Sequence, residues 1–310
     1  DLNSILGSSL QVYATRPSVP FDGLGDFLAN KIIYIEKADN LLNYYNDIKN
    51  SDLFVHTGWS FNAINCIDKR LKKENCKTKI FVLVDNRLKK NIRQFLGIFY
   101  MKFTLLKNID GFIASGKSAI KLLKFLGVPS NKISSGHYGA SSDLYPRWNK
   151  KNPKKDEITF IGSLDKRKGC DILINAWKQY KINNGKLKLN IIGEGKYYDA
   201  FNSLKDVNLY GFLQPKESSK ILLSSFCFIL PGRDDNWATV IAEAAASGCI
   251  LVSTTNVAAT EDLLRSTNGF LLKENTPSEI LKILFELESL NKDKKIEMCS
   301  DSTIKSLNFD

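Results

Sequence analysis

Short apolar runs alternate with longer amphipathic stretches along most of the 310 residues of this chain. The short runs are rich in Ile, Val, Leu and Phe and end at glycine or polar residues, which is typical of buried strands. The longer stretches repeat apolar side chains about every three to four residues, as helices do. This alternation predicts an α/β protein with doubly wound parallel sheets.

The same pattern predicts where the individual elements lie. In the first half it predicts strands over 32–35, 53–56, 80–84 and 111–114, and helices over 62–73, 88–106 and 117–126. In the second half it predicts strands over 158–161, 187–192, 208–210, 226–230 and 250–253, and helices over 170–180, 216–223 and 278–287.

A polar, basic stretch over 141–156 contains Pro146 and Pro153 and separates the two halves. It is the best candidate for an interdomain linker. We therefore expect two Rossmann-like domains, an N-terminal one over 1–150 and a C-terminal one over 151–310, with a cleft between them.

Charge and composition limit the kinds of ligand, metal site and membrane segment that we expect. With 44 Lys and Arg against 33 Asp and Glu, the net charge is +11, which favours nucleotides, anionic lipids or nucleic acid. None of the six cysteines lies in a Cys-x-x-Cys pair, so we expect reduced thiols in a cytosolic protein. With only two histidines, we expect no metal site. We expect no signal peptide, and no apolar run reaches the roughly 18–20 residues that span a bilayer.

The strongest candidate site surrounds the short helix predicted after the strand over 226–230. Asp235 lies at the junction of loop and helix, and Glu243 lies about two turns further along. The first free N–H groups of the helix belong to Asn236, Trp237, Ala238 and Thr239. A helix N-terminus binds anions, and open α/β sheets bind ligands at the carboxyl edge of their strands. The pattern therefore predicts a phosphorylated ligand with hydroxyl groups at both ends.

A second cluster follows the first strand of the second half. Gly162 and Ser163 end that strand, and Arg167 and Lys168 come shortly before the next helix. Two adjacent cations at this edge would reach a diphosphate, because arginine binds phosphate in a bidentate manner and lysine acts as a point charge.

Two further loops carry glycine at the same edge of the predicted sheet. One contains Gly193 and Gly195, and the other contains Gly211, Phe212 and Leu213. Glycine lets a backbone approach a base or a phosphate closely, although such residues equally serve simple turns.

Taken together, residues 157–272 resemble the donor-binding domain of family 4 glycosyltransferases, which are retaining enzymes of the GT-B fold. In that family a first strand is followed by Gly, then by Arg or Lys, and then by Lys-Gly. A Gly-x-Gly loop, a Gly-Phe or Gly-Val pair and a proline come next. An acidic motif with two glutamates ends the order. All of these appear here in that order, and Asn268-Gly269-Phe270-Leu271 closes the match.

Several positions depart from the family pattern. Asp235 stands where the family has its first glutamate, Ala238 replaces glycine, and Ile250 replaces proline. Ser163 occupies a position that is often arginine, while Arg167 matches a common variant. These departures bear on donor specificity and rate more than on the fold.

The resemblance implies a role for each motif. Glu243 would bind the ribose hydroxyls of a UDP- or GDP-linked sugar donor, and Asp235 would bind the hydroxyls of its sugar. Backbone N–H groups at 236–238 would contact the sugar or the diphosphate. Arg167 and Lys168 would stabilise the leaving nucleoside diphosphate by about a few kcal/mol each, without a metal or other cofactor.

The first half matches the family less specifically. Asp85 and Asn86 follow a strand where many relatives carry histidine, and we expect both to line the cleft, with Asp85 near the reacting groups. His56, in the run His56-Thr57-Gly58-Trp59, would face the acceptor or be a packed core histidine. His137 has the same two interpretations.

The stretch over 88–107 is both basic and aromatic. It combines lysine and arginine with eight large apolar side chains: Phe95, Leu96, Ile98, Phe99, Tyr100, Phe103, Leu105 and Leu106. Such a helix is typical of an anionic membrane surface, although a core helix with a charged outer face has the same composition. We expect salt-sensitive binding to anionic liposomes.

Three alternatives stay open. Residues 111–118 have Walker A spacing, but 112–114 is itself the predicted strand, which disfavours a P-loop nucleoside triphosphatase. Asp235 and Ser163 leave room for a non-catalytic GT-B protein that binds sugar nucleotides or acts as a scaffold. A sugar-nucleotide epimerase is the third.

The favoured interpretation is a bacterial retaining glycosyltransferase in surface polysaccharide synthesis. It would be cytoplasmic and peripheral at the inner membrane face. It would transfer a sugar to a glycan or lipid-linked acceptor, and we expect no nucleic acid partner.

Overall fold

The computed structural model describes residues 9–16, 32–59, 61–136 and 138–307. The described residues form two compact units. The first unit takes in the described residues up to Val84, Leu88–Ala114 and Leu122–Ser135; the second takes in Asp85–Arg87, Ser115–Lys121 and the described residues from Gly136 onward.

Parallel strands form the framework of the first unit. They are β1 (Val12–Ala14), β2 (Ile32–Tyr34), β3 (Leu53–Thr57), β4 (Lys79–Val84), β5 (Gly111–Ala114) and β6 (Ile133–Ser135). Strands β3 to β6 form one sheet in sequence order, and β1 pairs with β2 separately. Ile80, Val82 and Val84 of β4 are buried, and they anchor the core of this unit.

Helices connect these strands. In the first half of the chain they are α1 (Tyr45–Lys49), α2 (Asn62–Lys73), α3 (Ile92–Tyr100) and α4 (Lys117–Phe125), with 3₁₀ turns at Ala38–Tyr44 and Ser130–Lys132 and a π-helical turn at Met101–Leu105.

The second unit contains a six-stranded parallel sheet in the order β12-β11-β10-β7-β8-β9. Its strands are β7 (Lys155–Ile161), β8 (Lys188–Ile192), β9 (Val207–Leu209), β10 (Ser225–Leu230), β11 (Ile250–Thr254) and β12 (Gly269–Leu272). Its helices are α5 (Cys170–Ile182), α6 (Tyr198–Asn202), α7 (Pro215–Ser224), α8 (Thr239–Ala246), α9 (Ala258–Leu263), α10 (Pro277–Ser289) and α11 (Lys292–Leu307).

The topology of this sheet indicates where a ligand would bind. Counted from β7, the strands have the 3-2-1-4-5-6 order of dinucleotide-binding folds. The order reverses between β7 and β10, and in open parallel sheets ligands bind outside the carboxyl ends of the strands at such a switch point. All six residues of β10 are buried, which makes this strand a rigid base for the loop that follows it.

Two predicted segments differ from the structure. The single helix predicted over 88–106 is wrong at both ends: α3 begins at Ile92, where the Asn91 side chain accepts a hydrogen bond from the N–H of Gln94, and it becomes π-helical at Met101. The segment predicted as a linker is packed instead, because Tyr145 and Trp148 belong to the core of the second unit. The residues over 136–150, which the prediction assigns to the first domain, accordingly group with the second unit where they are described.

Candidate functional site

Two loops flank the switch point of the six-stranded sheet. One runs over 162–169 after β7, and the other runs over 231–238 after β10. The N–H of Arg233 donates to the carbonyl of Arg167 at 2.8 Å, so backbone contact joins the loops directly.

Lys168 and Asp235 form an ion pair across these loops. The Lys168 ammonium donates to Asp235 Oδ2, and each side chain is only 12% exposed. Arg167 Nη1 lies 3.6 Å from the same oxygen. The structure therefore brings together the two cations predicted to bind a diphosphate and the acid predicted to bind a sugar.

Asp165 orders the loop that presents these cations. Its carboxylate accepts hydrogen bonds from the Lys168 N–H at 2.9 Å and from the Ser163 hydroxyl at 2.8 Å. Burial alone would raise the pKa of Asp165, but these hydrogen bonds and the charge of Arg167 outweigh it and hold the pKa below its usual value. Ser163 thus supports the loop as a hydrogen-bond donor.

Arg233 is a supporting residue that the sequence pattern did not reveal. Its guanidinium donates to both carboxylate oxygens of Asp171, at 2.6 and 2.8 Å, and to the carbonyl of Lys166 at 2.6 Å. Bidentate pairing of this kind fixes orientation as well as distance. It holds the loop after β10 against the start of α5, and so it sets where Asp235 meets Lys168.

The start of α8 differs from the prediction. The helix begins at Thr239, with Ala238 as its N-cap, so Asn236 and Trp237 lie in the loop and do not form a first helical turn. Ala238 has φ +61° and ψ +76°, a left-handed conformation that disfavours any residue with a Cβ. Alanine therefore carries strain where the family has glycine.

The residues before Ala238 are held by α9 and the segment ahead of it. The Asp235 N–H donates to the carbonyl of Asn256 at 2.9 Å, and the carbonyl of Trp237 accepts from the Ala259 N–H at 3.1 Å. The Trp237 side chain is buried and packs against Gly116, where an added Cβ would lie 2.5 Å from its ring.

Glu243 lies half-buried on α8. Burial raises its pKa to about 7, and a hydrogen bond from the Tyr145 hydroxyl opposes part of that rise. The Tyr145 oxygen is also 3.4 Å from Ser218 Oγ. Sequence reasoning missed Tyr145 because it falls in the segment predicted as a linker.

The glycine loops meet at the carboxyl ends of β7, β8 and β9. The Gly162 N–H donates to the Ile192 carbonyl at 3.0 Å, and the Gly193 N–H donates to the Gly211 carbonyl at 2.7 Å. Gly193 has φ +135°, and a Cβ there would lie 2.0 Å from the Gly162 carbonyl oxygen. Half-buried Phe212 and Leu213 follow Gly211.

Asp85 and Arg87 group with the second unit. Burial, and then the negative charge of Asp85, raise the pKa of Tyr138. The guanidinium of Arg87 donates to the backbone carbonyl of Asn256 and, at 3.0 Å, to its side-chain oxygen. Arg87 thus braces the carbonyl that receives the Asp235 N–H, a contact that the sequence did not indicate.

The remaining candidates of the first half are His56, His137 and Asn86. His56 is buried in the first unit, and its Nε2 lies 3.3 Å from Asp68 Oδ2, an arrangement that matches the packed-histidine interpretation. His137 lies outside the described residues. Asn86 is exposed in the loop after β4.

The remaining expectations concern a metal site, a membrane-spanning helix, the cysteines and the Walker-like segment. In the part of the chain that the structure describes, no three His, Cys, Asp or Glu side chains are grouped to hold a metal ion, and no helix is long and apolar enough to cross a bilayer. All six cysteines are free thiols. Strand β5 occupies Gly111–Ala114, so the Walker-like segment has no flexible loop between its glycines.

The strand order and switch point of the six-stranded sheet are those of a Rossmann-type domain. Residues 142–305 match the family model of the group 1 glycosyl transferases, and the chain belongs to this family.

Curated relatives are similar at low identity. The chain is 24% identical over 214 residues to a 41.2 kDa protein of the cps region of Klebsiella pneumoniae. It is 24% identical over 185 residues to WcaL of Salmonella typhimurium, a protein provisionally assigned as a colanic acid biosynthesis glycosyltransferase. These matches cover 66% and 55% of this chain, but only 58% and 46% of the relatives.

Solved structures show the same fold. A glycosyltransferase from Rickettsia africae has a TM-score of 0.75 at 14% identity, with 99% of this chain and 87% of that one covered. Anabaena HepE in complex with UDP has a TM-score of 0.72 at 14% identity, with 93% and 84% covered. The chain has the GT-B fold predicted from its sequence, with two parallel-sheet units. The cleft between its domains stays a prediction.

Proposed function

We propose that this protein is a retaining glycosyltransferase that moves a sugar from a UDP- or GDP-linked donor to a glycan or lipid-linked acceptor. The pairing of Lys168 with Asp235 at the switch point carries this proposal. A nucleoside diphosphate sugar places its diphosphate next to a hydroxyl-rich ring. A cation and an acid in contact match that arrangement.

The remaining residues fit the other parts of such a donor. Glu243 would accept hydrogen bonds from the ribose hydroxyls, and the loops at Gly193 and Gly211 would accommodate the base. Arg167 would share the diphosphate with Lys168, and the backbone of Asn236 to Ala238 would contact the sugar. Asp85 would lie near the acceptor hydroxyl.

The proposed chemical step is a front-face displacement. The bond between the anomeric carbon and the diphosphate oxygen breaks, and its electron pair stays on the diphosphate. The acceptor oxygen bonds to the same face of the anomeric carbon, and its proton passes to the departing phosphate oxygen. Arg167 and Lys168 would stabilise the developing negative charge, which is the role that a metal ion has in other transferases.

The biological setting is also part of the proposal. Relatives named for a cps region and for colanic acid biosynthesis support a role in bacterial surface polysaccharide synthesis. We place the protein in the cytoplasm, peripheral at the anionic inner face of the membrane, where a lipid-linked acceptor would be presented.

A donor panel tests this function. Wild type is incubated with UDP- and GDP-sugars in the presence of a metal chelator. Release of the nucleoside diphosphate measures turnover, and NMR gives the anomeric configuration of the product. We expect turnover with retention, lost in Lys168→Gln but kept in Lys166→Gln, an exposed neighbour with the same charge. Donor binding without turnover on any acceptor would favour the non-catalytic alternative.

A further inference from the structure

The outward side of α3 carries large apolar side chains. Their exposed fractions are 79% for Ile92, 65% for Leu96, 64% for Phe99 and 60% for Phe103 in the π-helical turn. None of the nine residues of α3 is buried. Spacings of three and four residues place these four side chains on one face.

The opposite side of this segment anchors it in the first unit. Met101 and Leu105 are buried, and a Cβ on Gly97 would lie 3.1 Å from Leu126. The segment is therefore apolar on both sides. Helices of that kind are normally covered on every side, and a contiguous exposed apolar patch marks an interaction surface.

Charge identifies what covers the patch. The stretch from Leu88 to Ile109 contains no Asp or Glu. Its basic residues are all exposed and consist of Lys89, Lys90, Arg93, Lys102 and Lys107. The Lys102 ammonium lies 5.8 Å from the centre of the Phe103 ring, so at least one cation borders the apolar patch directly.

We propose that Ile92, Leu96, Phe99 and Phe103, with the lysines and Arg93 around them, form a docking surface for an anionic lipid bilayer. The aromatic and aliphatic groups would enter the boundary between headgroups and acyl chains, while the cations contact anionic headgroups. A second copy of this chain fits less well, because it would bring two basic surfaces together. This inference deepens the proposed function, on which it rests for the lipid-linked acceptor.

Vesicle sedimentation tests the surface with the full chain. We expect wild type to pellet with phosphatidylglycerol vesicles at about 0.1 M NaCl, and to be released by about 0.5 M NaCl or by substitution with phosphatidylcholine. Phe99→Ser with Phe103→Ser should abolish pelleting, whereas Ile182→Ser with Ile304→Ser, which removes exposed apolar groups of the second unit, should not.

Charge-reversal variants test the electrostatic part of the vesicle binding separately. Lys90→Glu with Lys102→Glu should weaken vesicle partition about 25-fold or more, since each cation lost from the surface costs a factor of about five. Lys150→Glu with Lys151→Glu makes the same change in net charge at exposed positions of the second unit and should leave partition nearly unchanged.

The outcomes separate this inference from the proposed function. Failure of wild type to pellet overturns the docking surface, and so does equal pelleting of the test and control variants. Self-association of wild type that is lost in Phe99→Ser with Phe103→Ser, without vesicle binding, overturns it in favour of a second copy. Nucleoside diphosphate binding, measured on the same proteins, reports the donor site regardless of the vesicle result.

Discussion

The ammonium of Lys168 donates a hydrogen bond to the carboxylate of Asp235, 67 positions further along the chain. The pair joins the two loops at the switch point of the six-stranded sheet. Each side chain partly neutralises the other, so a diphosphate that binds there competes with Asp235 for the same cation. In the proposed donor site, Asp235 would therefore compete with the diphosphate for Lys168.

Substitution Asp235→Asn tests this competition. It frees Lys168 and Arg167 from the carboxylate, so a nucleoside diphosphate should bind about fivefold more tightly, as expected from a gain of about 1 kcal/mol. Sugar transfer should fall about a hundredfold, because the acid proposed to orient the sugar is lost. Calorimetry with the diphosphate and a transfer assay measure the two effects.

The matched control is Asp293→Asn, which makes the same charge change at an exposed position near the start of α11. It should alter neither quantity. Weaker diphosphate binding in Asp235→Asn would show that the acid helps to hold the cations in place and does not compete with the ligand.

Glu243 links stability to pH. Its pKa of about 7 in the folded protein is higher than the usual glutamate value, so the folded state binds the proton more tightly than the unfolded chain. The resulting stabilisation is complete below the unfolded pKa and is lost as the pH rises through about 7. Glu243→Gln should therefore stabilise the protein by on the order of 1–3 kcal/mol at pH 8 and by much less at pH 5.

Urea unfolding at the two pH values measures this difference. Tyr145→Phe is a useful companion, because it removes the hydroxyl that hydrogen-bonds to the carboxylate but keeps the ring. It should raise the pKa of Glu243 further. Equal gains from Glu243→Gln at pH 5 and pH 8 would mean that the carboxyl does not titrate in this range.

Ala238→Gly should stabilise the protein. Alanine in the left-handed region costs about 1–2 kcal/mol, which the substitution removes. Glycine also makes the unfolded chain more flexible, and this lowers the stability by about 0.5–1 kcal/mol. The net gain should be about 0.5–1 kcal/mol in thermal or urea unfolding. Ala244→Gly, inside the same helix, should destabilise by about 1 kcal/mol, and a loss in both variants would argue against the left-handed geometry at residue 238.

Gly193→Ala should destabilise the site severely. The added Cβ would lie 2.0 Å from the Gly162 carbonyl oxygen, and backbone cannot retreat as a flexible side chain can. Gly136→Ala is the matched control, since it has φ +94° but no atom within 4 Å of the new Cβ. We expect about 1–2 kcal/mol for the control and at least twice that for Gly193→Ala, together with loss of donor binding.

The sequence predicted the elements that local periodicity determines. Helix Asn62–Lys73 and strand Gly111–Ala114 occur at the predicted residues, and most strands of the second unit differ by one to three positions at their ends. Buried parallel strands are continuous apolar runs, which makes them easy to find. Helices α9 and α11 were missed. Helix α9 has only six residues, and the buried side of α11 includes Ser302, Thr303 and Ser306, so it shows no continuous apolar stripe.

The supporting contacts of the candidate site could not be predicted in this way. Arg233 and Asp171 are 62 positions apart, and no local pattern connects them. Tyr145 lies in a polar, proline-containing stretch whose composition indicates a linker, yet it packs in the core beside α8. In contrast, the glycines, cations and acids at strand ends were predictable, because parallel strands bring their carboxyl ends to one edge.

The most direct test of the central claim is calorimetric titration of the metal-free protein with UDP, GDP and ADP. We predict one-to-one binding of UDP or GDP, weakened at least tenfold in Lys168→Gln and unchanged in Lys166→Gln. Absence of binding by all three diphosphates, in a protein with a cooperative thermal transition, would contradict a donor site between β7 and β10.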